Sequence, residues 1–192
     1  MKGQTIALLI LVIVGLNVGC REHNTPKARG YYRIALPDKE YMNFDSDYPY
    51  RFEYPAYAII NPDTSSNAEQ YWLNIAFRDF KGQIHLSYKP IGDNFSILME
   101  DSRKLAYKHS IKADAIKERA FHDEEKNVTG VLYEIIGDAA SPIQFYATDS
   151  LHHFIRGSLY FNVVPNQDSL APVIDFVHQD VIHLMETLRW NN

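Results

Sequence analysis

Tyr71-Trp72-Leu73-Asn74-Ile75-Ala76-Phe77, followed by Ile84-His85-Leu86-Ser87-Tyr88-Lys89, is the stretch on which the fold turns. In the first segment Tyr71, Leu73, Ile75 and Phe77 alternate with Trp72, Asn74 and Ala76. In the second, Ile84, Leu86 and Tyr88 alternate with His85, Ser87 and Lys89. A two-residue period places one set on each face of a pleated strand. Asp79 to Gly82 supplies the turn between them, so the pair predicts a β-hairpin with one face buried and one wetted.

Downstream the period changes. Phe95, Leu98, Met99, Ser102, Leu105 and Ala106 share one helical face, with Asp93 or Asn94 as N-cap and Lys104, Lys108 and Lys112 on the wet side. Strand patterns follow at Ala115–Phe121, Val128–Ile136, Ile143–Thr148 and His153–Phe161. A closing helix is predicted from Pro172 to Leu188, its first turn suited to proline and its buried stripe made of Ile174, Val177, Val181, Leu184 and Leu188. Upstream, Arg51–Tyr54 reads as a strand that Pro55 confines to an edge position or a bulge, and Asn61–Asn67 reads as a turn. Short turns cannot join parallel strands, which need a long crossover. The order therefore predicts an α+β domain: a mostly antiparallel sheet of about six to seven strands with two helices packed on one face.

The whole chain has 192 residues, enough for one domain with extensions. Hydrophobic residues at 46% and charged residues at 22% exclude a disordered chain, a collagen-like repeat and a coiled coil. The formal net charge of −5 offers no general attraction to phosphate backbones, so no nucleic-acid partner is expected. The 13 tyrosines suit strands with one wetted face. A single cysteine, Cys20, excludes an internal disulfide and a cysteine-rich metal cluster.

Cys20 has a different use. Lys2 gives a short positive lead, Ile6–Val14 is an unbroken apolar run, and Asn17-Val18-Gly19-Cys20 ends it. That run is too short to span a bilayer, which takes about 20 apolar residues, and fits a signal-peptide core. A small residue directly before a lone cysteine at that position is the pattern of a bacterial lipoprotein signal, although Leu16 lies one place earlier than usual and Asn17 stands in its stead. Residues 1–19 are thus expected to be removed and Cys20 lipidated, which anchors the chain to a membrane. Losing Lys2 takes the net charge of the mature chain from −5 to −6. Residues 20–50, with Pro26, Pro37 and Pro49 and no sustained apolar period, read as lipid anchor and extended arm. Residues 51–192 read as a single α+β domain.

The reactive side chains do not assemble into a catalytic set. His152 and His153 are neighbours on a strand and point to opposite faces; His178 and His183 are poorly spaced for chelation on a helix. No Gly-x-Ser-x-Gly elbow, glycine-rich phosphate loop or paired carboxylate spacing is present. No catalytic residue, metal or cofactor is expected, and no small-molecule substrate. Gly157, inside a strand pattern, marks a bulge or close packing. On the arm, Arg29, Tyr31, Tyr32 and Arg33 form a small basic-aromatic patch, read as headgroup contact, as docking of the arm on the body, or as a partner-binding segment.

Several segments in order carry a family resemblance. They are Arg29-Gly30-Tyr31-Tyr32-Arg33-Ile34, Phe52-Glu53-Tyr54-Pro55, His85-Leu86-Ser87-Tyr88-Lys89, Gln144-Phe145-Tyr146, Thr148-Asp149-Ser150 and Arg156-Gly157-Ser158-Leu159-Tyr160-Phe161. Together they resemble the gliding-motility lipoprotein GldD family of Bacteroidota over nearly the whole mature chain. The element order is also similar to the Mog1/PsbP-like sandwich, a likeness of fold that carries no function. The family resemblance implies a cell-envelope lipoprotein required for gliding motility and type IX protein secretion, and the lack of reactive clusters in the sequence adds that it is noncatalytic. It would act through protein–protein contacts with other envelope proteins of those machines, from the outer membrane facing the periplasm. Of the residues, it implies a role only for Cys20. Asp149-Ser150-Leu151 and Asp168-Ser169-Leu170 resemble O-glycosylation sites of exported Bacteroidota proteins, and both also read as turns or helix approaches. Two further readings stand beside this one: a periplasmic enzyme or chaperone acting on exported proteins or glycans, and a solute- or lipid-binding lipoprotein.

Overall fold

The computed structural model describes residues 34–191. In chain order the strands β1 (Tyr41–Phe44), β2 (Tyr50–Pro55), β3 (Ile59–Pro62), β4 (Leu73–Phe77) and β5 (Gly82–Pro90) come first. Helix α1 (Phe95–Tyr107) leads to β6 (Ala113–Asp123), β7 (Val128–Gly137), β8 (Ile143–Thr148) and β9 (His153–Phe161). Helix α2 (Gln167–Thr187) and the short β10 (Arg189–Trp190) follow.

The predicted hairpin forms the start of the main sheet. Its β4 and β5 pair from Leu73↔Leu86 to Phe77↔Gly82, joined by a 3-10 turn and by Lys81 in the left-handed region at φ 51°. The sheet has seven strands in the order β3-β4-β5-β9-β8-β7-β6, and neighbouring strands are antiparallel throughout. A second sheet, β1-β2-β10, is three-stranded. The α+β class and the antiparallel sandwich stand as expected.

The helices do not share a face. Alternate residues of a strand point to opposite sides. Ile84, Leu86, Ile143, Phe145, Ile155 and Leu159 point to the side where Val177, Val181 and Leu184 of α2 pack, together with Tyr50 and Phe52 of β2. Tyr133, Tyr146 and Phe154 point to the other side and pack with Phe95, Leu98, Met99 and Ala106 of α1. The topology gives the reason. The chain must travel from β5 past β9, β8 and β7 to reach β6, and α1 makes that crossing. The price is a central strand without a wetted side: all six residues of β8 are buried.

Three short strands were not expected. Tyr41–Phe44, placed by its composition in the extended arm, pairs with β2 from Tyr41↔Pro55 to Phe44↔Phe52. The folded body therefore begins well before residue 51, and Tyr50 is fully buried. The strand β3 occupies part of the expected turn, and β10 pairs with β2 at Tyr50 and Arg51 only. Pro55 thus lies beyond β10, where one side of β2 has no strand beside it and the missing N–H leaves no gap in the ladder.

The last helix starts earlier than Pro172. Asn166 caps it, its side chain accepting the Ser169 N–H at 2.9 Å, and this sets the first turn at Gln167. Pro172 sits inside the helix, where it forgoes one i→i−4 bond. The stripe rotates slightly, with Val173 and Met185 buried and Ile174 half-buried. At Gly157 the β9 register runs on without a bulge, and an added Cβ would lie 2.1 Å from Phe145 Cε1. Of the two readings of this glycine, close packing is the correct one.

Candidate functional site

Asp180 is the focus of the interior electrostatics. It lies on α2 among Val177, Val181 and Leu184, and only 2% of it is exposed. A carboxylate at such depth needs donors. It receives them from the segment that leads into the domain. Lys39 Nζ approaches Oδ1 at 2.6 Å and Tyr41 OH donates to the same oxygen at 3.0 Å, while Tyr57 OH donates to Oδ2. Lys39 also donates to the Phe176 carbonyl at 2.7 Å and stands 3.4 Å from the centroid of the Phe176 ring.

Burial raises the Tyr41 phenol to about 12, with the charge of Asp180 adding to it. Burial and the bond to Asp180 push the Tyr57 phenol well above its usual value. Both therefore stay donors at neutral pH. Burial lowers the Lys39 ammonium more than Asp180 restores it. One turn further along α2, His183 Nε2 lies 2.7 Å from Glu53 Oε2 and the Tyr41 ring stacks on the imidazole at 3.6 Å between centroids. Every Asp180 oxygen has a partner, so the cluster offers no seat for a reacting atom. It works as a clasp that fixes residues 39–57 to the last helix.

The second feature is a cleft of about 350 Å³ between α2 and the ends of β6 and β7. Ile136, Ile143, Ala171 and Ile174 supply apolar walls; Lys117, Glu134, Asp175 and His178 supply charge. His178 Nε2 lies 2.9 Å from Glu134 Oε1, without hydrogen-bond alignment, and Arg119 reaches the same oxygen at 3.6 Å. A histidine beside a carboxylate is a general-base arrangement. Among the described residues no hydroxyl or thiol side chain lines this cleft, and its mixture of apolar wall and charged rim suits an inserted side chain. Glu134 and His178 are far apart in sequence, and neither lay in a motif that could have joined them.

The residues picked out from sequence lie elsewhere. Cys20, Arg29, Tyr31, Tyr32 and Arg33 fall outside the described residues. Among the described residues no group of three or more His, Cys, Asp or Glu side chains could hold a metal ion. His153 donates to or accepts from Tyr88 OH at 2.9 Å and stacks on Trp190, so it is built into the aromatic end of the sandwich. Asp149, in one of the Asp-Ser-Leu triplets, accepts the backbone N–H groups of Leu151, His152 and His153 at 3.0, 2.8 and 2.8 Å and so makes the β8–β9 turn. Among the described residues no helix is long and apolar enough to cross a membrane.

The described residues form a small antiparallel sandwich whose leading segment is clasped to its last helix, with a cleft of mixed apolar and charged lining beside that helix. The family model of the gliding motility lipoprotein GldD matches residues 21–190. The chain belongs to that family, and with it to membrane-anchored lipoproteins of the cell envelope with a role in gliding motility. No curated protein matches it. Among solved structures it is similar to cyanobacterial PsbP (CyanoP) from Synechocystis sp. PCC 6803, at a TM-score of 0.45 and 9% identity over 83% of this chain and 98% of that one.

Proposed function

We propose that the protein is a noncatalytic lipoprotein, anchored through Cys20 in the outer membrane and facing the periplasm. There it serves gliding and type IX secretion by holding other envelope proteins of those machines. The observation that carries this reading is the family match, which begins at Arg21, the residue after Cys20. The clasp supports it. With Lys39 fixed to Asp180, the stretch from Cys20 to Lys39 can reach at most about 65 Å even if fully extended. The body is thereby kept close to the membrane. Burying apolar surface in a cleft of this size suits a protruding partner side chain, and the charged rim would set its orientation.

The test is photo-crosslinking in cells. A benzophenone amino acid placed at Ala171 or Ile136, in the cleft, should capture a specific envelope protein, whereas the same probe at exposed Ile97, on the outside of α1, should not. Absence of any specific adduct at the cleft, with the protein present at normal level, would remove the cleft from this role.

A further inference from the structure

The sheet face that carries α1 is covered only in part. Beside the helix, Asn74 on β4, His85 on β5, Ser158 on β9 and Gln144 on β8 stand in one row, each opposite the next in register. This row is polar across four strands, which a sheet face buried for packing alone would not require. Gln144 is 1% exposed and Ser158 2%, yet the Gln144 Nε2 and Ser158 Oγ atoms have no hydrogen-bond partner. Asn74 Oδ1 lacks one too.

Arg156 stands on the same face, two residues before Ser158 and opposite Ser87 and Tyr146. It is half-buried, and it donates from Nη2 to Gln144 Oε1. Among the described residues no carboxylate pairs with it. The one acid associated with the row, Asp63, serves its far end at Asn74 and His85. A guanidinium carries five donors, and this one uses a single donor on a neutral amide. A half-buried cation and two buried unpaired groups beside it are costly unless something completes them. A planar or tetrahedral oxyanion would do so, because its oxygens accept from a guanidinium fork, an amide N–H and a hydroxyl together.

We propose that Arg156, Gln144 and Ser158 form a binding site for an oxyanion, either a carboxylate or a phosphate group, carried by a ligand that approaches past exposed His85. Arg156 is the first contact, since it reaches solvent, and the ligand must then open a way to Gln144 and Ser158, which are buried without it. Gln144 is a positioning residue: its Oε1 holds the guanidinium plane and leaves its Nε2 to donate. Ser158 supplies the third donor. This site is separate from the cleft, whose lining includes none of the three residues.

The test uses the full lipidated chain in detergent, with thermal unfolding followed by tryptophan fluorescence. Sodium acetate and sodium phosphate are compared with sodium chloride at equal ionic strength. Phosphate stabilises most proteins by exclusion from their surface, so the readout is the difference between wild type and R156Q. A bound anion should raise the wild-type midpoint by about 2 °C or more over chloride, and R156Q should lose that increment while S158A keeps only part of it. A response to acetate identifies a carboxylate ligand, and a response to phosphate alone identifies a phosphate. If R156Q does not fold, the Arg156 Nε–Hε signal of the wild type is titrated with the same anions and should move. No anion-specific shift in folded wild type, an equal shift in R156Q, or an unmoved Arg156 signal overturns the proposal.

Discussion

Lys39 Nζ lies 2.6 Å from Asp180 Oδ1 and joins positions 141 residues apart in the chain. The pair ties residue 39 to the last helix, which makes the body one unit from about residue 39 onward. Removing one member of a buried pair costs about 3–5 kcal/mol, and the partial exposure of Lys39 sets the value near the lower end. Asp180→Ala should therefore destabilise by about 3 kcal/mol, stranding the ammonium and two phenols. Lys39→Met should cost about 2 kcal/mol or less, because Tyr41 and Tyr57 still donate to the carboxylate. Urea unfolding of both variants and of the double variant measures the coupling; independent, additive effects would mean that the clasp is ornamental.

Acid should weaken the fold before carboxylates titrate. Burial lowers His153, against the opposing charge of Asp149, and burial likewise lowers His85. A base whose folded pKa is depressed binds fewer protons folded than unfolded. Its stabilising contribution is complete above the unfolded value of 6.5 and is lost as pH falls through that value toward the folded one. Stability should decline between pH 7.5 and 5, and His153→Asn should flatten part of the slope. A wild-type profile level across that range contradicts the assignment.

The β8–β9 turn depends on Asp149. Burial raises this carboxyl, but the N–H groups of His153, His152 and Leu151 together hold it below its usual value. Asp149→Ala leaves those donors without their acceptor and should cost about 2 kcal/mol. It should also speed amide exchange at residues 151–153, read by hydrogen–deuterium exchange; unchanged exchange there would show that the turn closes without it.

The sequence was most legible where period and burial agree. Strands β4 and β5 alternate buried and more exposed residues as their patterns predict, and β8 and β9 have the predicted limits, set by the Asp149-Ser150 turn between them. The helices' placement on opposite faces was hidden. Alternation shows that a strand has two faces; it does not say what covers the second, and β8 is apolar or neutral enough for either answer. Strand β1 was missed because four residues of mixed polarity signal little by themselves and are held by β2 and the Asp180 clasp. Glu134 and His178 meet only through the packing of α2, so no local motif could announce the cleft.

The anchor and arm make their own prediction. Cys20→Ala should shift the protein out of the membrane fraction with its leader uncleaved, detectable by fractionation and intact mass. Tyr31→Ala with Tyr32→Ala should leave the anchor in place and reduce recovery of crosslinked partners. A protein that stays membrane-bound with an unlipidated mature N-terminus rejects the anchor, and undiminished partner recovery rejects the arm contact.

The central claim is that this lipoprotein serves gliding and type IX secretion through binding and not through catalysis. The direct measurement is deletion of its gene, scored for colony spreading and for type IX cargo in the medium, with complementation by wild type and by the Glu134→Gln, His178→Gln double variant. Deletion should abolish spreading and reduce secreted cargo. The double variant, which keeps the apolar walls of the cleft and the rim charges of Lys117 and Asp175 and removes its acid–base pair, should restore both. Normal spreading and secretion in the deletion strain, or failure of the folded double variant to restore either, would contradict the account.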